Sequence, residues 1–120
     1  MKFLLVFIGG GVGSVLRYSV GKFFVNTNHS IFNATLTVNI LGSLLIGILF
    51  GYFTKQNLLS QNQSILLISG FCGGFTTFST FALENAVMLK NGDYFSFAFY
   101  TVLSIILGVL AVFLGLHLIK

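Results

Sequence analysis

Four long apolar stretches, separated by short polar ones, constrain the fold of this 120-residue chain more than any other feature. We predict helices over about 3–25, 31–53, 64–89 and 94–119, each long enough to cross about 30 Å of hydrocarbon. Only 7% of the residues are charged, whereas charged residues make up about a quarter of an ordinary soluble domain. The sequence therefore predicts a single all-α domain over residues 1–120, embedded in lipid as a multi-pass protein of the cell inner (plasma) membrane.

The basic residues are few and scattered, so the net charge of +4 does not indicate a nucleic-acid partner. We interpret them as anchors beside the membrane: Lys2, Arg17, Lys22, Lys55, Lys90 and Lys120. Cys72 is the single cysteine, and His29 and His117 stand apart in the sequence. Because a zinc site needs several clustered ligands, we do not expect an enzyme built around a metal, or any other enzyme.

Four crossings divide the basic side chains almost evenly between the two sides of the membrane: Lys2, Lys55 and Lys120 on one, Lys22 and Lys90 on the other. Orientation normally follows an excess of Lys and Arg on the cytoplasmic side, and adding Arg17 does not create one. We therefore expect the chain to insert both ways and to pair with its own inverted copy. The alternative is that a partner or weak local signals fix one orientation.

The third apolar segment is interrupted near its middle by Gly70-Phe71-Cys72-Gly73-Gly74-Phe75-Thr76-Thr77-Phe78-Ser79-Thr80-Phe81. Glycines weaken a helix, and hydroxyl residues follow them, so we predict a break in the third helix near the membrane midplane. Backbone freed from helical hydrogen bonds must line a cavity or hold an ion, and freed carbonyls suit a cation such as sodium. The alternative is close packing through small residues, with the hydroxyls bonded to the preceding turn.

Four phenylalanines in this segment, Phe71, Phe75, Phe78 and Phe81, are spaced by four, three and three residues, so we expect them on one helix face. Such a row is usually lipid-facing or core material. An aromatic ring also has a positive edge, and edges aimed into a narrow pore carry a small anion without holding it too tightly. The spacing alone does not choose between these interpretations.

Asn39 stands in the middle of the second segment, within Thr35-Leu36-Thr37-Val38-Asn39-Ile40-Leu41-Gly42. A primary amide offers two N–H donors, and a strongly hydrated anion entering the membrane needs such donors in place of water. The alternative is an interhelical hydrogen bond.

Arg17 lies inside the first segment, where a charged side chain is costly and indicates a function. It either draws anions to a vestibule, pairs with Glu84, or extends to the nearer membrane interface. Two pairs of glycines have the G-x-x-x-G spacing of close helix contacts: Gly9 with Gly13, and Gly47 with Gly51.

Three stretches resemble the Fluc family of fluoride channels, also called CrcB proteins: Gly10–Tyr18, Thr35–Gly42 and Gly70–Phe81. The resemblance implies a dual-topology dimer of antiparallel subunits with two fluoride pathways. The partner would be a second copy of this chain or a homologous second subunit. The implied activity is passive export of cytoplasmic fluoride, which gives fluoride resistance.

The resemblance also implies roles for particular residues. A structural sodium ion on the two-fold axis would be held by the backbone carbonyls of Gly73 and Thr76 from both subunits. The fluoride pathway would contain Asn39, Phe78, Phe81, Thr35, Glu84, Tyr100 and Ser104, with Arg17 near an aqueous vestibule. Gly108 stands where the resemblance leads us to expect a second serine of the polar track.

Two other functions remain open from the sequence. A small proton-coupled multidrug exporter also has four helices, but it needs a membrane-embedded carboxylate that exchanges protons with substrate. The first acidic residue of this chain is Glu84, towards the end of the third segment. A non-transporting assembly subunit is the other alternative, and it predicts no ion flux from the purified protein.

Overall fold

The computed structural model describes residues 1–24, 33–56 and 60–119, and these residues contain helices and no strand. The helices are α1 Lys2–Phe23, α2 Ala34–Gln56, α3 61–75, α4 Ser79–Lys90 and α5 Tyr94–Leu118. Helix α3 is continuous but mixed, because α-helical Gln61–Ser64 and Gly73–Phe75 flank a π-helical part, Ile65–Cys72. The predicted all-α class is therefore confirmed for the described residues.

Four spans are long and apolar enough to cross a membrane: Lys2–Phe23, Ala34–Lys55, Gln61–Lys90 and Tyr94–Leu118. Helix α1 ends at Phe23 and α2 begins at Ala34, inside the predicted ends, whereas α2 continues to Gln56 and the third span begins at Gln61, beyond them. The two extensions include polar residues, because hydropathy marks the lipid-embedded part of a helix and not its last hydrogen-bonded turn. The predicted helix ends at Val25 and Ile31, together with His29 and Lys120, lie outside the described residues.

Helices α1 and α3 pack backbone against backbone. A Cβ atom built on Gly9 would overlap the carbonyl of Leu66, and one built on Gly13 would overlap the carbonyl of Phe71. From the opposite side, a Cβ on Gly74 would overlap the carbonyl of Gly10. The predicted Gly9/Gly13 contact is thus confirmed. It sets the axial position of α1 relative to the glycine-rich end of α3.

Helices α2 and α5 make a second contact of the same kind. A Cβ on Gly47 would overlap the carbonyl of Val112, and a Cβ on Gly115 would overlap the carbonyl of Leu44. At Gly51, a Cβ would lie 3.4 Å from Ile119 Cβ, which is ordinary van der Waals contact. The second G-x-x-x-G prediction is also confirmed, with Gly47 as its tight member.

The third span breaks between α3 and α4, at residues 76–78, close to the middle of Gln61–Lys90. Thr76 has extended backbone angles, φ −89° and ψ 161°, and helical geometry resumes at Ser79. The predicted break is confirmed, but the glycines are not where it occurs. Gly70, Gly73 and Gly74 are still helical, and Gly70 and Gly74 lie against α1. Close packing therefore explains these two glycines. The break itself occurs at the hydroxyl residues that follow them.

The outward faces of α1 and α5 are apolar and exposed. Phe3 and Phe7 on α1 are 91% and 77% exposed, and Phe113 and Leu114 on α5 expose more than half of their surface. Surfaces of this composition fit lipid and not water. The chain is a multi-pass membrane protein.

Candidate functional site

The break in the third span is held open by Asn39 from α2. The Asn39 side chain accepts a hydrogen bond from the Thr77 backbone N–H at 2.8 Å and donates one to the Thr77 carbonyl at 3.0 Å. The predicted interhelical hydrogen bond is therefore present, in a double form. Because a primary amide has two N–H donors, one N–H of Asn39 is left for another ligand.

The break frees two particular carbonyls. In a continuous helix the N–H of Thr77 would bond to the Gly73 carbonyl, and the N–H of Thr80 to the Thr76 carbonyl. Instead, the Thr77 N–H bonds to Asn39, and the Thr80 N–H bonds to the Thr77 hydroxyl at 3.3 Å. Among the described residues neither carbonyl has a backbone hydrogen bond of the turn type. A carbonyl with unused lone pairs is a ligand for a hard cation.

The Gly74 carbonyl, unlike the other two, accepts hydrogen bonds from side chains of α1. Arg17 Nε donates to it at 3.0 Å, and the Ser14 hydroxyl lies 3.5 Å away. The pair with Glu84, one of the three alternatives for Arg17, is absent, because the guanidinium bonds to a carbonyl 10 residues earlier in the third span. Arg17 thus replaces a helical N–H donor that the break removes.

A cavity of about 360 Å³ lies beside Arg17, between α1, α2 and the break. Its polar lining includes Arg17, Lys22, Thr35, Thr77 and Thr80. Lys22 Nζ lies 5.4 Å from the centre of the Tyr18 ring, a cation–π contact. The cavity thus combines two cationic side chains with three hydroxyl residues, and the role of Arg17 at an aqueous vestibule stays a prediction.

A second, open groove of about 440 Å³ runs along the other side of the break. It brings together six of the predicted site residues: Asn39, Gly73, Thr76, Phe78, Phe81 and Ser104. The Ser104 hydroxyl is buried without a hydrogen-bond partner in the described part of the chain, so its donor is unused. Phe78 is 78% exposed at the rim. The groove is therefore lined by aromatic rings, by Asn39 with one unused N–H, and by Ser104, whose unpaired hydroxyl is buried in the wall.

The predicted single row of four phenylalanines is wrong. The break falls between Phe75 and Phe78, so the helical spacing is not continuous across it. Phe71 and Phe75 stack on each other, with ring centres 5.7 Å apart, and Phe75 is buried. Phe78 and Phe81 form a separate pair at 5.9 Å. Of the four rings, only this second pair lines the groove.

Phe81 connects the groove to a cluster around Glu84. The Phe81 and Tyr100 ring centres are 5.2 Å apart. Beyond them, the Glu84 carboxylate accepts hydrogen bonds from Tyr100 Oη at 2.6 Å, Thr35 Oγ1 at 3.0 Å and Asn33 Nδ2 at 3.2 Å. All three donors are neutral. The predicted residues Thr35, Glu84 and Tyr100 are thus in contact with one another.

Three polar residues of this region were missed from the sequence. Asn33 binds Glu84, and Asn85 donates to the Phe81 carbonyl at 3.0 Å while accepting from Thr101 at 3.2 Å. Ser43 lines the groove, and a Cβ built on Gly108 would lie 3.8 Å from its hydroxyl. Asn33 had a detectable signal, since asparagine directly before an apolar helix is a preferred N-cap. Asn85 and Ser43 had none.

Comparison with known proteins gives a consistent result. A family model described as CrcB-like protein, Camphor Resistance (CrcB), matches residues 4–116. A protein of Azobacteroides pseudotrichonymphae is 49% identical over 115 residues, covering 95% of this chain and 92% of its own length. One from Gloeothece citriformis is 45% identical over 121 residues, covering 100% and 98%. One from Leptospira interrogans is 44% identical over 118 residues, covering 98% and 93%. All three are named fluoride-specific ion channel FluC.

Proposed function

We propose, from the premise that the chain belongs to the CrcB family, that it is a fluoride channel subunit that exports cytoplasmic fluoride passively. Hydrogen fluoride is a weak acid that crosses membranes in its neutral form and releases fluoride inside the cell. A fluoride-selective pore lets the anion leave down its electrochemical gradient. The protein is therefore a transporter and not an enzyme.

The observation that carries this proposal is the composition of the groove. Fluoride is small and strongly hydrated, so it enters a membrane only where donors replace its water. The groove offers the second N–H of Asn39 and the rings of Phe78 and Phe81, and the unpaired hydroxyl of Ser104 is buried in its wall. Ring edges attract an anion weakly, which lets it leave again. We propose that fluoride passes these groups and then the Tyr100, Thr35 and Glu84 cluster.

We further propose that the working unit is an antiparallel dual-topology dimer. The groove is open along one side, and the rim residue Phe78 is largely exposed. A second subunit would close the groove and complete the pathway. The near balance of Lys and Arg between the two sides of the membrane supports an inverted copy of the same chain. A homologous second subunit would serve equally.

A structural sodium ion fits the residues at the break. The carbonyls of Gly73 and Thr76 have both lost the N–H partner that a continuous helix provides. Hard cations bind such oxygens, and two subunits would supply four. We propose that these carbonyls hold sodium in the dimer, where its positive charge would offset the partial negative charges of the freed backbone.

Sodium is expected to stabilise the assembled protein. Protein purified without sodium, in N-methyl-D-glucamine chloride, should show a Tm that rises as sodium chloride is added. A bound ion adds about 2.7 kcal/mol when its concentration is about 100 times its Kd. The control is the same addition of choline chloride, which supplies ionic strength alone. Equal Tm values in sodium and choline would contradict the sodium assignment.

Fluoride efflux from liposomes that contain this chain alone tests the proposed function. We expect passive fluoride efflux, measured with a fluoride electrode, without a requirement for a proton gradient. Proton-coupled uptake of an organic cation, with no fluoride flux, would instead support the exporter. Absence of any flux from properly inserted protein would support an assembly subunit.

Phe81→Ile tests, in the same efflux assay, whether the Phe81 ring belongs to the fluoride pathway. Isoleucine keeps an apolar side chain at the groove but removes the ring that lies against Tyr100. We expect efflux to fall more than tenfold, since a loss of about 1.4 kcal/mol changes an equilibrium or rate constant tenfold. Phe7→Ile, on the exposed face of α1, is the matched control and should conduct like the wild type. Equal efflux from both variants would remove Phe81 from the pathway.

A further inference from the structure

Asn33 contacts both the beginning of α2 and the Glu84 carboxylate. Its Oδ1 accepts a hydrogen bond from the Leu36 backbone N–H at 2.8 Å, which makes Asn33 the N-cap of α2, and a longer one from Tyr100 Oη at 3.4 Å. Its Nδ2 donates to Glu84 Oε2 at 3.2 Å. Because the cap bond fixes where the oxygen of the amide lies, it also directs the nitrogen towards Glu84.

The Glu84 carboxylate depends on such neutral donors. No salt bridge to Glu84 is present in residues 1–24, 33–56 and 60–119, and Arg17 is bound to the Gly74 carbonyl instead. A carboxylate inside a membrane protein must be satisfied by hydrogen bonds. Oε1 receives its bond from Tyr100, whereas Oε2 receives one from Thr35 and one from Asn33. Asn33 therefore provides one of three bonds that hold the charge in place.

The position of this charge matters for an anion that passes nearby. Tyr100 contacts both Glu84 and the Phe81 ring of the groove. A carboxylate that loses one of its two Oε2 bonds is held less firmly on the side of α2, and a turn about its Oε1 bond to Tyr100 would bring its charge nearer the groove, where it would repel an anion. Asn33 lies outside Thr35–Gly42, the stretch that carries the family resemblance, and the resemblance assigns it no role.

We propose that Asn33 is a positioning residue of the fluoride pathway, which keeps the Glu84 carboxylate turned towards the N-terminus of α2. This inference rests on the proposed fluoride channel function. Its cap bond to Leu36 and its bond to Glu84 are made by different atoms of one amide. The two contributions are therefore separable by substitution.

Asn33→Ser separates them. Serine is a good N-cap, so the start of α2 is preserved, but its short hydroxyl no longer supplies the amide donor to Glu84. We expect fluoride efflux to fall about tenfold, a change of about 1.4 kcal/mol, while elution volume and Tm stay near wild-type values because the bonds from Thr35 and Tyr100 still hold Glu84 in the fold. Asn33→Asp, also a good N-cap, places a second carboxylate beside Glu84 and should lower efflux further.

Asp93→Ser is the matched control. Asp93 is the N-cap of α5, where its side chain accepts from the Ser96 N–H, and it is exposed. This variant changes a cap in the same way, away from Glu84, and should conduct like the wild type.

Wild-type efflux in Asn33→Ser, or in Asn33→Asp if the serine variant does not assemble, would overturn the inference. A parallel fall of Tm and efflux in Asn33→Ser would overturn it too, since Asn33 would then act only on the fold. Absence of efflux in the wild type would instead overturn the channel function itself.

Discussion

Asn39→Asp is expected to remove at least about 99% of fluoride efflux while the protein remains assembled. The wild-type amide donates to the Thr77 carbonyl and accepts from the Thr77 N–H. Aspartate keeps the acceptor but places a second oxygen against the Thr77 carbonyl, and it adds a negative charge to the groove. The added charge repels an entering anion, and a 100-fold effect corresponds to about 2.8 kcal/mol, at about 1.4 kcal/mol for each tenfold change. The measurement is fluoride efflux from liposomes, with size-exclusion chromatography to check assembly.

Asn62→Asp makes the same chemical change where it should be harmless. Asn62 is exposed in the first turn of α3, and a negative charge near a helix N-terminus is favourable. We expect wild-type efflux and elution from this variant. If Asn39→Asp conducts as well as Asn62→Asp, Asn39 is not part of the pathway and the groove loses its best-placed N–H donor.

The number and class of the helices were predictable from the sequence, because an apolar span of about 20 residues matches a membrane-crossing helix, whereas a crossing strand needs only about 10. The existence of the break was also predictable from residues 70–81. The location of the break was not predictable. It depends on Asn39, 38 residues earlier in the chain, whose side chain makes two hydrogen bonds to the Thr77 backbone. Composition shows that a helix is weak, but a partner on another helix decides which residue leaves it.

The same reasoning explains one prediction that was wrong and one alternative that the structure rejects. Spacing placed Phe71 and Phe81 on one face because it assumed an unbroken helix between them, and the break divides the row into two pairs. Charge alone suggested a pair between Arg17 and Glu84. Arg17 instead bonds to the Gly74 carbonyl, a group that needs a donor only because the helix ends there. Glu84 is satisfied by neutral donors, including Asn33, which no motif identified.

Gly13→Ala is expected to destabilise the protein and to reduce efflux with it. The added Cβ would overlap the Phe71 carbonyl and lie 2.8 Å from the Phe75 backbone nitrogen. These are backbone atoms of α3, so no side-chain rotation relieves the overlap and α1 must move away. Overpacking of this kind costs about 1–3 kcal/mol, although alanine gains about 0.5–1 kcal/mol over glycine in a helix. The measurement is Tm in detergent, together with efflux from liposomes.

Gly11→Ala is a control within the same helix, because nothing lies within 4 Å of a Cβ built there. It has the same helix-propensity gain without the overlap, so its Tm should equal or exceed that of the wild type. Arg17 lies one turn after Gly13, and a displaced α1 would draw its guanidinium away from the Gly74 carbonyl. Gly13→Ala should therefore lose efflux even at temperatures where it remains folded. Equal Tm and efflux for the two alanine variants would mean that α1 does not meet α3 in this register, and that the break is held without Arg17.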